Sequence, residues 1–247
     1  MLSAGNEFKE VVCRPLRYDE ISKAVDVTEE AFRDNPLVDY LHNTPDARDS
    51  RLVRIGRKAA SMIQSSHYVR SKEMLGINGG DGSVMYRSPL TLLSQPRRVL
   101  ERTLRVILMA ILSVCFRLIN SREQWQRFQE TRKKGDAAAK DSIGDQIEDM
   151  FAIDLLAVAP EKQRIGYGSA LVGAVTAKAD AHSKGTWLIT RPPTAGFYER
   201  LSFTVVGEYT LGESNPTWTK PPVEMVVMVR EPKLLDMYSN LEKGFWN

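Results

Sequence analysis

The sequence has few of the residues that mark several protein classes. Its 247 residues include two cysteines, Cys13 and Cys115, and three histidines, none at a spacing typical of metal ligands. Two distant cysteines without a Cys-x-x-Cys motif argue against a disulfide framework and favour reduced thiols inside a cell. Segment 1–10 lacks the apolar core of a secretion signal. We therefore expect a cytoplasmic protein with no signal peptide and no metal.

Charge and hydropathy exclude further classes. The 34 Lys and Arg residues nearly balance the 31 Asp and Glu residues, so the net charge of +3 is too small for the whole chain to be a polyanion binder. The longest apolar run, 106–116, is too short to span a bilayer. Few aromatic residues lie among the basic ones, so no nucleic-acid partner is expected. A composition of 43% apolar and 26% charged residues favours a globular protein, and we expect a single domain over 1–247.

The most informative stretch lies in the second half of the chain. Segment 153–159 is apolar apart from Asp154, Pro160 follows it, and 169–181 has apolar residues at helical spacing. This pattern predicts a strand, a loop and a helix. Because Gly166 and Gly168 lack side chains, the backbone N–H groups of this loop can approach an anion at the positive end of the helix. The loop therefore predicts a pyrophosphate site.

Three nucleotide-binding motifs compete for this loop. A Walker A loop requires Lys-Ser/Thr after a glycine, which is absent, and a dinucleotide fingerprint requires a small residue where Leu171 stands and an acid within 184–190. The remaining pattern is Gln163-Arg164-x-Gly166-x-Gly168, preceded by a strand and Pro160. It resembles the acyl-CoA-binding signature of the GNAT superfamily of N-acyltransferases, Gln/Arg-x-x-Gly-x-Gly/Ala.

The downstream sequence extends the resemblance over 149–229. Strands are predicted at 186–190, 203–209 and 223–229, with a short helix at 194–201. The motif Phe197-Tyr198-Glu199-x-x-Ser202-Phe203 is similar to the family's Phe-Tyr-Glu-x-x-Gly-Phe, with Ser202 in place of glycine. The closest likeness is to GNAT-like proteins of fungi. The resemblance implies an α/β GNAT fold, with a mixed, mostly antiparallel sheet flanked by helices and split between strands four and five.

The N-terminal half is expected to supply the first three strands and the first helices of this fold. Asp19 is predicted to cap the first helix, and Asn35-Pro36 to end it. The Asn-Gly-Gly-Asp-Gly sequence at 78–82 predicts a hairpin turn. In chain order, the patterns predict a strand at 11–16, helices at 20–32, 37–41 and 46–66, and strands at 68–77 and 83–87.

Segment 89–149 is a helical insertion between strands three and four. From Arg97 to Lys134 it has ten basic and three acidic residues, and the polar, alanine-rich part at 135–142 is predicted to be a flexible joint. Two interpretations remain open. The insertion is a helical pair that completes the core or covers the acceptor cleft. Alternatively, 97–134 is a basic amphipathic surface for an anionic membrane or an acidic partner.

The resemblance also implies an activity, which is transfer of an acetyl group from acetyl-CoA to a primary amine by direct attack in a ternary complex. The acceptor, a small molecule or a peptide, and the oligomeric state are not predicted. Tyr198 is the implied catalytic acid, and Asp154, Glu148 and Asp149 are candidate bases acting through water. The alternative function is a CoA-binding or membrane-surface protein without turnover.

The implied cofactor-binding residues lie on the central strand, in the glycine-containing loop and at the catalytic tyrosine. They are Leu156, Ala157, Val158, Gln163, Arg164, Ile165, Gly166, Tyr167, Gly168, Ser169 and Tyr198. Pantetheine is expected along the first three and the pyrophosphate at 163–169. One departure from the family pattern is Arg191, which stands where an asparagine is common and is followed by two prolines.

Overall fold

A computed structural model describes residues 12–48 and 50–233. Its centre is a seven-stranded sheet in the order β1-β2-β3-β4-β5-β7-β6. Neighbouring strands are antiparallel except β4 and β5, which are parallel. The predicted mixed, mostly antiparallel sheet is therefore confirmed. The strands are β1 (Arg14–Pro15), β2 (Met74–Ile77), β3 (Gly82–Arg87), β4 (Phe151–Val158), β5 (Thr186–Thr190), β6 (Thr204–Leu211) and β7 (Val223–Arg230).

Seven α-helices accompany the sheet in the described part of the chain. They are α1 (Ile21–Ala31), α2 (Pro36–His42), α3 (Arg51–Arg70), α4 (Gln95–Ile119), α5 (Arg122–Ile143), α6 (Tyr167–Ala181) and α7 (Pro192–Glu199). Between Leu16 and Arg230, each predicted helix and strand has a counterpart within a few residues. Val11 and the tail after Lys233 lie outside the described residues.

Both faces of the sheet are buried. On one face α6 places Leu171, Val172 and Val175 in a cluster with Val84 and Leu188 of the strands. On the other face α1 and α3 pack against β2 and β3, in a second cluster around Ile21, Tyr68, Met74 and Met85. Because both faces are covered, β2 and β3 are buried along almost their whole length.

The predicted role of Asp19 is wrong. Asp19 lies within the 3-10 turn Tyr18–Glu20 and pairs with the side chain of Arg17 at 2.7 Å. The Glu20 carboxylate instead accepts a hydrogen bond from the Arg17 backbone N–H at 2.9 Å. The chain therefore enters α1 through a 3-10 turn, and α1 itself has no side-chain cap.

The predicted strand at 68–77 begins too early, because residues 68–70 belong to α3 and β2 starts at Met74. Tyr68 lies on the buried side of α3 with Ala60 and Ser65, at helical spacing. The helix ends at Arg70, and Lys72 in the turn that follows has a positive φ of 59°. Short apolar runs do not distinguish a buried helix end from a strand, which explains the error.

The insertion is a pair of helices, α4 and α5, as one interpretation predicted. The flexible joint predicted at 135–142 is wrong, since this segment is part of α5. Gly135 lets α5 approach the sheet closely, because a Cβ there would lie 3.1 Å from the Tyr209 hydroxyl. Ala139 is fully buried, and alanine favours helix. No helix in the described ranges has the length and apolar character needed to cross a bilayer.

Candidate active site

The sheet opens between β4 and β5. These strands pair only from Phe151 to Ile153 on β4, opposite Thr186 to Leu188 on β5. Beyond that point β4 continues to Val158 while still paired with β3 on its other side. The edge of β4 that faces β5 is therefore free over 154–158, with no strand partner among the residues that the structure describes. The predicted split in the sheet is confirmed.

Asp154 marks the start of this opening. In the β3–β4 ladder, Met85 pairs with Leu155 and Tyr86 with Ile153, so Asp154 is an extra residue, a β-bulge. The bulge directs the Asp154 side chain towards the face that carries α1 and α3. Asp154 therefore lies at the free edge of β4, with its side chain on the face of the sheet opposite α6.

The predicted pyrophosphate loop, residues 163–169, leads into α6. We call it the phosphate loop. Arg164 and Gly166 have positive φ angles of 63° and 96°. The first hydrogen bond of α6 runs from the Ala170 N–H to the Gly166 carbonyl at 2.9 Å. No side chain caps this end of the helix, and its first turn contains no acidic residue. The N–H groups of the first turn therefore remain available to an anion, together with the positive end of the helix dipole.

Side-chain contacts fix this loop at the opening of the sheet. The Tyr167 hydroxyl accepts a hydrogen bond of 2.6 Å from the amide nitrogen of Asn78 in the hairpin. A Cβ on Gly168 would lie 3.2 Å from the Phe197 ring and 3.9 Å from Leu156. Gln163 donates to the Val158 carbonyl at 3.2 Å.

The structure thus brings the predicted segments 156–158 and 163–169 together. Tyr167 can offer an anion its backbone N–H but not its side chain, because the side chain is buried and hydrogen-bonded to Asn78. The side chains of Gln163, Arg164, Ile165 and Ser169 lie beside it at least partly accessible, whereas Ala157 is buried in the strand. Asn78 was predicted only as a turn residue, because its contact with α6 joins positions far apart in the sequence.

Tyr198 lies on the same side of the sheet as α6. Its ring is 4.8 Å from that of Phe197 and 5.8 Å from that of Phe203, and only 6% of the residue is exposed. Burial raises the pKa of Tyr198 to about 12. At neutral pH the phenol is therefore protonated and can donate a hydrogen bond or a proton.

The two departures from the family motifs have local structural consequences. Arg191 is the N-cap of α7, with Pro192 at the first helical position. It lines an open cleft of about 650 Å³ with Trp218 and Lys220, away from the phosphate loop. Ser202 has a φ of 68°, a left-handed conformation that glycine adopts without strain. The turn after α7 is therefore kept, at some cost in backbone strain.

A second cleft, of about 370 Å³, lies on the opposite face, next to Asp154. We call it the acceptor-side cleft. Its lining comes from α3, β3, β4 and both helices of the insertion. The lining residues are Gln64, His67, Tyr68, Glu73, Arg87, Arg105, Leu108, Met109, Leu112, Arg132, Asp136 and Asp154. The insertion therefore covers the face of the sheet that the β4 bulge points to.

The Asp154 carboxylate is fully engaged in this cleft. It accepts hydrogen bonds from Arg87 Nε at 2.7 Å, from Arg87 Nη2 at 2.8 Å and from the Tyr68 hydroxyl at 2.8 Å. Both carboxylate oxygens therefore already have hydrogen-bond partners within the protein. Of the other two candidate bases, Glu148 and Asp149 both precede β4, and Asp149 pairs with Lys184. Neither lies at the free edge.

His67 is a candidate that the sequence did not single out, because the three histidines lack metal-ligand spacing and belong to none of the motifs. It lies on α3, half-buried, and lines the acceptor-side cleft with its ring edge-on to that of Tyr68 at 6.0 Å. Burial, together with the nearby Arg70 and Arg105, lowers the pKa of His67 below its usual 6.5. The imidazole is therefore neutral near pH 7 and able to accept a proton.

Buried ion pairs attach the insertion to the rest of the fold. Arg105 of α4 lies 3.2 Å from Glu73, which is almost fully buried. On α5, Arg127 is completely buried and donates to the Tyr40 carbonyl at 2.7 Å and the Thr217 hydroxyl at 2.8 Å. Arg127 thereby joins the insertion to α2 and to the loop between β6 and β7.

The comparisons with known proteins agree with this geometry. A sequence model of the acetyltransferase (GNAT) family matches residues 138–203, which include β4, the phosphate loop, α6 and α7. The segment that contains the opening of the sheet and the loop before α6 is therefore similar in sequence to that family. The prediction of a GNAT-type N-acetyltransferase is confirmed at the level of family match and fold. A comparison with curated protein sequences gives no match.

Solved structures show the same fold over most of the chain. A mosquito arylalkylamine N-acetyltransferase like 5b has a TM-score of 0.59 and 12% identity, covering 90% of this chain and 100% of its own. A polyamine N-acetyltransferase of Drosophila melanogaster has a TM-score of 0.57 and 12% identity, with coverages of 90% and 100%. A protein of Corynebacterium glutamicum, described as histone acetyltransferase HPA2 and related acetyltransferase, has a TM-score of 0.54 and 16% identity, with coverages of 92% and 99%. At these identities the likeness establishes a shared fold.

Proposed function

We propose that this protein transfers the acetyl group of acetyl-CoA to a primary amine, by direct attack within a ternary complex. The observation that carries the proposal is the free edge of β4 at 154–158, next to the uncapped start of α6. An extended pantetheine arm can hydrogen-bond to such an edge as an added strand does. The amides of 163–169 are then in place for the diphosphate.

Transfer from a thioester needs stabilisation of an oxyanion and of a leaving thiolate. Backbone N–H groups on the free edge of β4 are suitable donors to the oxyanion. Tyr198 is the donor we assign to the thiolate. Its pKa of about 12 lies above that of a thiol, about 8.5, so hydrogen bonding to the thiolate is favoured over complete proton transfer.

The acceptor amine must lose a proton before it attacks, because amines of this kind have a pKa of about 10. We assign the base to His67, acting directly or through water. His67 is neutral at working pH and lines the acceptor-side cleft, whereas the Asp154 carboxylate is held by Arg87 and Tyr68. Asp154 then acts as a positioning residue that fixes Tyr68 beside His67.

The acceptor-side cleft favours a small amine with an apolar body. Its volume of about 370 Å³ is near the lower end for small-molecule sites, and Leu108, Met109 and Leu112 form an apolar wall. Two of its carboxylates, Glu73 and Asp154, are paired with arginines, which leaves Asp136 for one ammonium group. Of the acceptor classes that the structural neighbours are named for, this suits an arylalkylamine better than a polyamine, which carries several charges.

The test is release of free CoA by the purified full chain with acetyl-CoA and a panel of amines, monitored with a thiol reagent. The panel contains an arylalkylamine, an aliphatic monoamine, a polyamine and a peptide with a free α-amine. We expect amine-dependent release, highest for the arylalkylamine. Calorimetric CoA binding with no release for any amine would instead support a CoA-binding protein without turnover. Absence of CoA binding by a folded sample would overturn both functions.

A further inference from the structure

The outward face of α4 is apolar along most of the helix. Leu100, Ile107, Ile111, Val114 and Leu118 recur seven, four, three and four residues apart, which places them on one side of the helix, and all are exposed. Leu118 is 76% exposed. The opposite side of α4, around Leu112, packs inward. From Leu100 to Leu118 the face is about 27 Å long at the helical rise per residue. Apolar patches of this extent mark contact sites.

Helix α3 extends this face. A Cβ on Gly56, near the start of α3, would lie 3.0 Å from Ile119 at the end of α4, and Arg70 at the end of α3 pairs with Glu101 near the start of α4 at 2.8 Å. The two helices are therefore antiparallel neighbours. Exposed apolar residues of both define the α3–α4 surface, which comprises Leu52, Ile55, Ile63, Val99, Leu100, Val106, Ile107, Ile111, Val114 and Leu118.

The charged residues of α3 and α4 are all basic except Glu101. Helix α3 contains five basic residues and no acidic one, and α4 contains five basic residues and Glu101, whereas the whole chain has a net charge of +3. Glu101 is already paired with Arg70. Three arginines of α4, Arg97, Arg102 and Arg117, have no carboxylate of residues 12–48 or 50–233 within ion-pair distance. The apolar α3–α4 surface is thus bordered by positive charges that no carboxylate in the described part of the chain neutralises.

We propose that the α3–α4 surface binds the surface of an anionic phospholipid bilayer. Aliphatic side chains can enter the boundary between headgroups and acyl chains while the arginines meet lipid phosphates. A second copy of the chain is a poor occupant, because two arginine-rich faces would repel each other. The inference needs neither CoA nor an acceptor and is independent of the proposed transfer.

The structure narrows the basic surface that the sequence predicted at 97–134. Two of the basic residues of α5 serve internal contacts. Arg127 is completely buried, and Lys134 donates to the Thr210 carbonyl at 2.9 Å and pairs with Glu130 at 2.9 Å. Helix α5 also has no exposed large hydrophobic residue, so the proposed lipid contact lies on α3 and α4.

The experiment is co-sedimentation of the full chain with vesicles of phosphatidylcholine alone or mixed with phosphatidylserine. We expect binding only to the mixed vesicles, weakening as salt is raised. The triple variant Arg97→Gln, Arg102→Gln, Arg117→Gln should bind about 100-fold more weakly, since each basic residue near an anionic surface contributes about fivefold. The triple variant Leu100→Ser, Ile107→Ser, Leu118→Ser should lose about tenfold or more even at low salt.

A matched control removes three lysines elsewhere, Lys133, Lys140 and Lys178, by substitution with glutamine. This variant should bind vesicles much as the unmodified chain does, and circular dichroism checks that all variants are folded. Equal losses in the control would reduce the effect to net charge and overturn the assignment. Absence of vesicle binding at low salt would also overturn it. So would self-association of the unmodified chain that the serine variant abolishes, if the chain binds no vesicles. Binding to polyglutamate would overturn it as well, if the serine variant retains both that binding and vesicle binding.

Discussion

The proposed donor side and the proposed acceptor side of this protein are built in different ways. On the donor side, the β4 edge, the phosphate loop and the start of α6 follow one another within 154–169, and the groups offered to a ligand are backbone amides. The acceptor-side cleft depends on contacts between distant positions. Tyr68 and Asp154, which line it, are 86 residues apart, and Arg127 and Tyr40, whose contact attaches the insertion to α2, are 87 apart. A site formed by backbone amides tolerates substitution of most side chains other than its glycines. A site formed by contacts between side chains is weakened when any one of those side chains is replaced.

The largest expected effect tests the acceptor side at His67. If His67 is the base, His67→Gln should lower kcat/KM on the order of 1000-fold, within the range of general base catalysis, and leave CoA affinity unchanged. Because the pKa of His67 is lowered, its neutral form persists below pH 6.5. In the unmodified protein kcat/KM should therefore fall only at lower pH, as the imidazole gains a proton, and this acid limb should vanish in the variant. Steady-state kinetics against pH measure both.

His182 provides the control for this prediction. It lies at the end of α6, away from the acceptor-side cleft, so His182→Gln should leave the pH profile unchanged. An acid limb that survives in His67→Gln would assign the base to another group and leave His67 a packing role.

Arg127 tests whether the attachment of the insertion, whose helices line the acceptor-side cleft, can weaken while the donor side persists. Arg127→Met leaves the carbonyls of Tyr40 and Asn43 without their buried donor and removes a buried ion pair with Glu123. We expect the free energy of unfolding to fall by about 3 kcal/mol, measured by urea denaturation. In the fraction that remains folded, CoA affinity should change less than about twofold, because Arg127 and the phosphate loop share no contact partner.

The neighbouring Lys133 is the matched position on α5. Lys133→Met should change the free energy of unfolding by less than about 0.5 kcal/mol. A similar loss at both positions would show that α5 responds to any change of charge, and would leave the buried guanidinium without a special role in holding the insertion.

The same contrast explains what could be predicted from the sequence. The strands β4 to β7 and the helices α6 and α7 follow from patterns within short windows, and the glycine spacing predicts the phosphate loop. Asp154 could be placed on its strand, but not in the bulge or beside Arg87, because register depends on pairing with β3. His67 had no local signal, since its role comes from the cleft that the distant helices α4 and α5 complete. The boundary of α3 was missed because tertiary packing of Tyr68 decides it.

The glycines test the donor side alone. In the double variant Gly166→Val, Gly168→Val, the first change disfavours the left-handed φ of 96° and the second meets the Phe197 ring, so the amides lose their alignment. Loss of one or two hydrogen bonds to a charged group predicts CoA binding weaker on the order of 100-fold by calorimetry. Gly173, in the middle of α6, has open space within 4 Å of the position that a Cβ would occupy, so Gly173→Ala should retain CoA affinity. Undiminished binding by the double variant would remove the basis of the donor site.

The smallest expected effect concerns Ser202, where the donor side departs from the family motif. At a φ of 68°, the left-handed backbone conformation costs serine about 1 kcal/mol in the folded state. Glycine avoids this cost, but about half of the gain is lost because glycine has greater conformational freedom in the unfolded chain. Ser202→Gly should therefore raise the free energy of unfolding by about 0.5 kcal/mol. Ser202→Ala keeps the strained backbone and should give no such gain. If both variants were equally stabilised, the hydroxyl and not the backbone would be the source of strain. The Phe203 N–H donates a hydrogen bond to the Tyr198 carbonyl at 3.1 Å across this turn. An unchanged kcat in Ser202→Gly would therefore show that serine and glycine at this position hold Tyr198 in the same place.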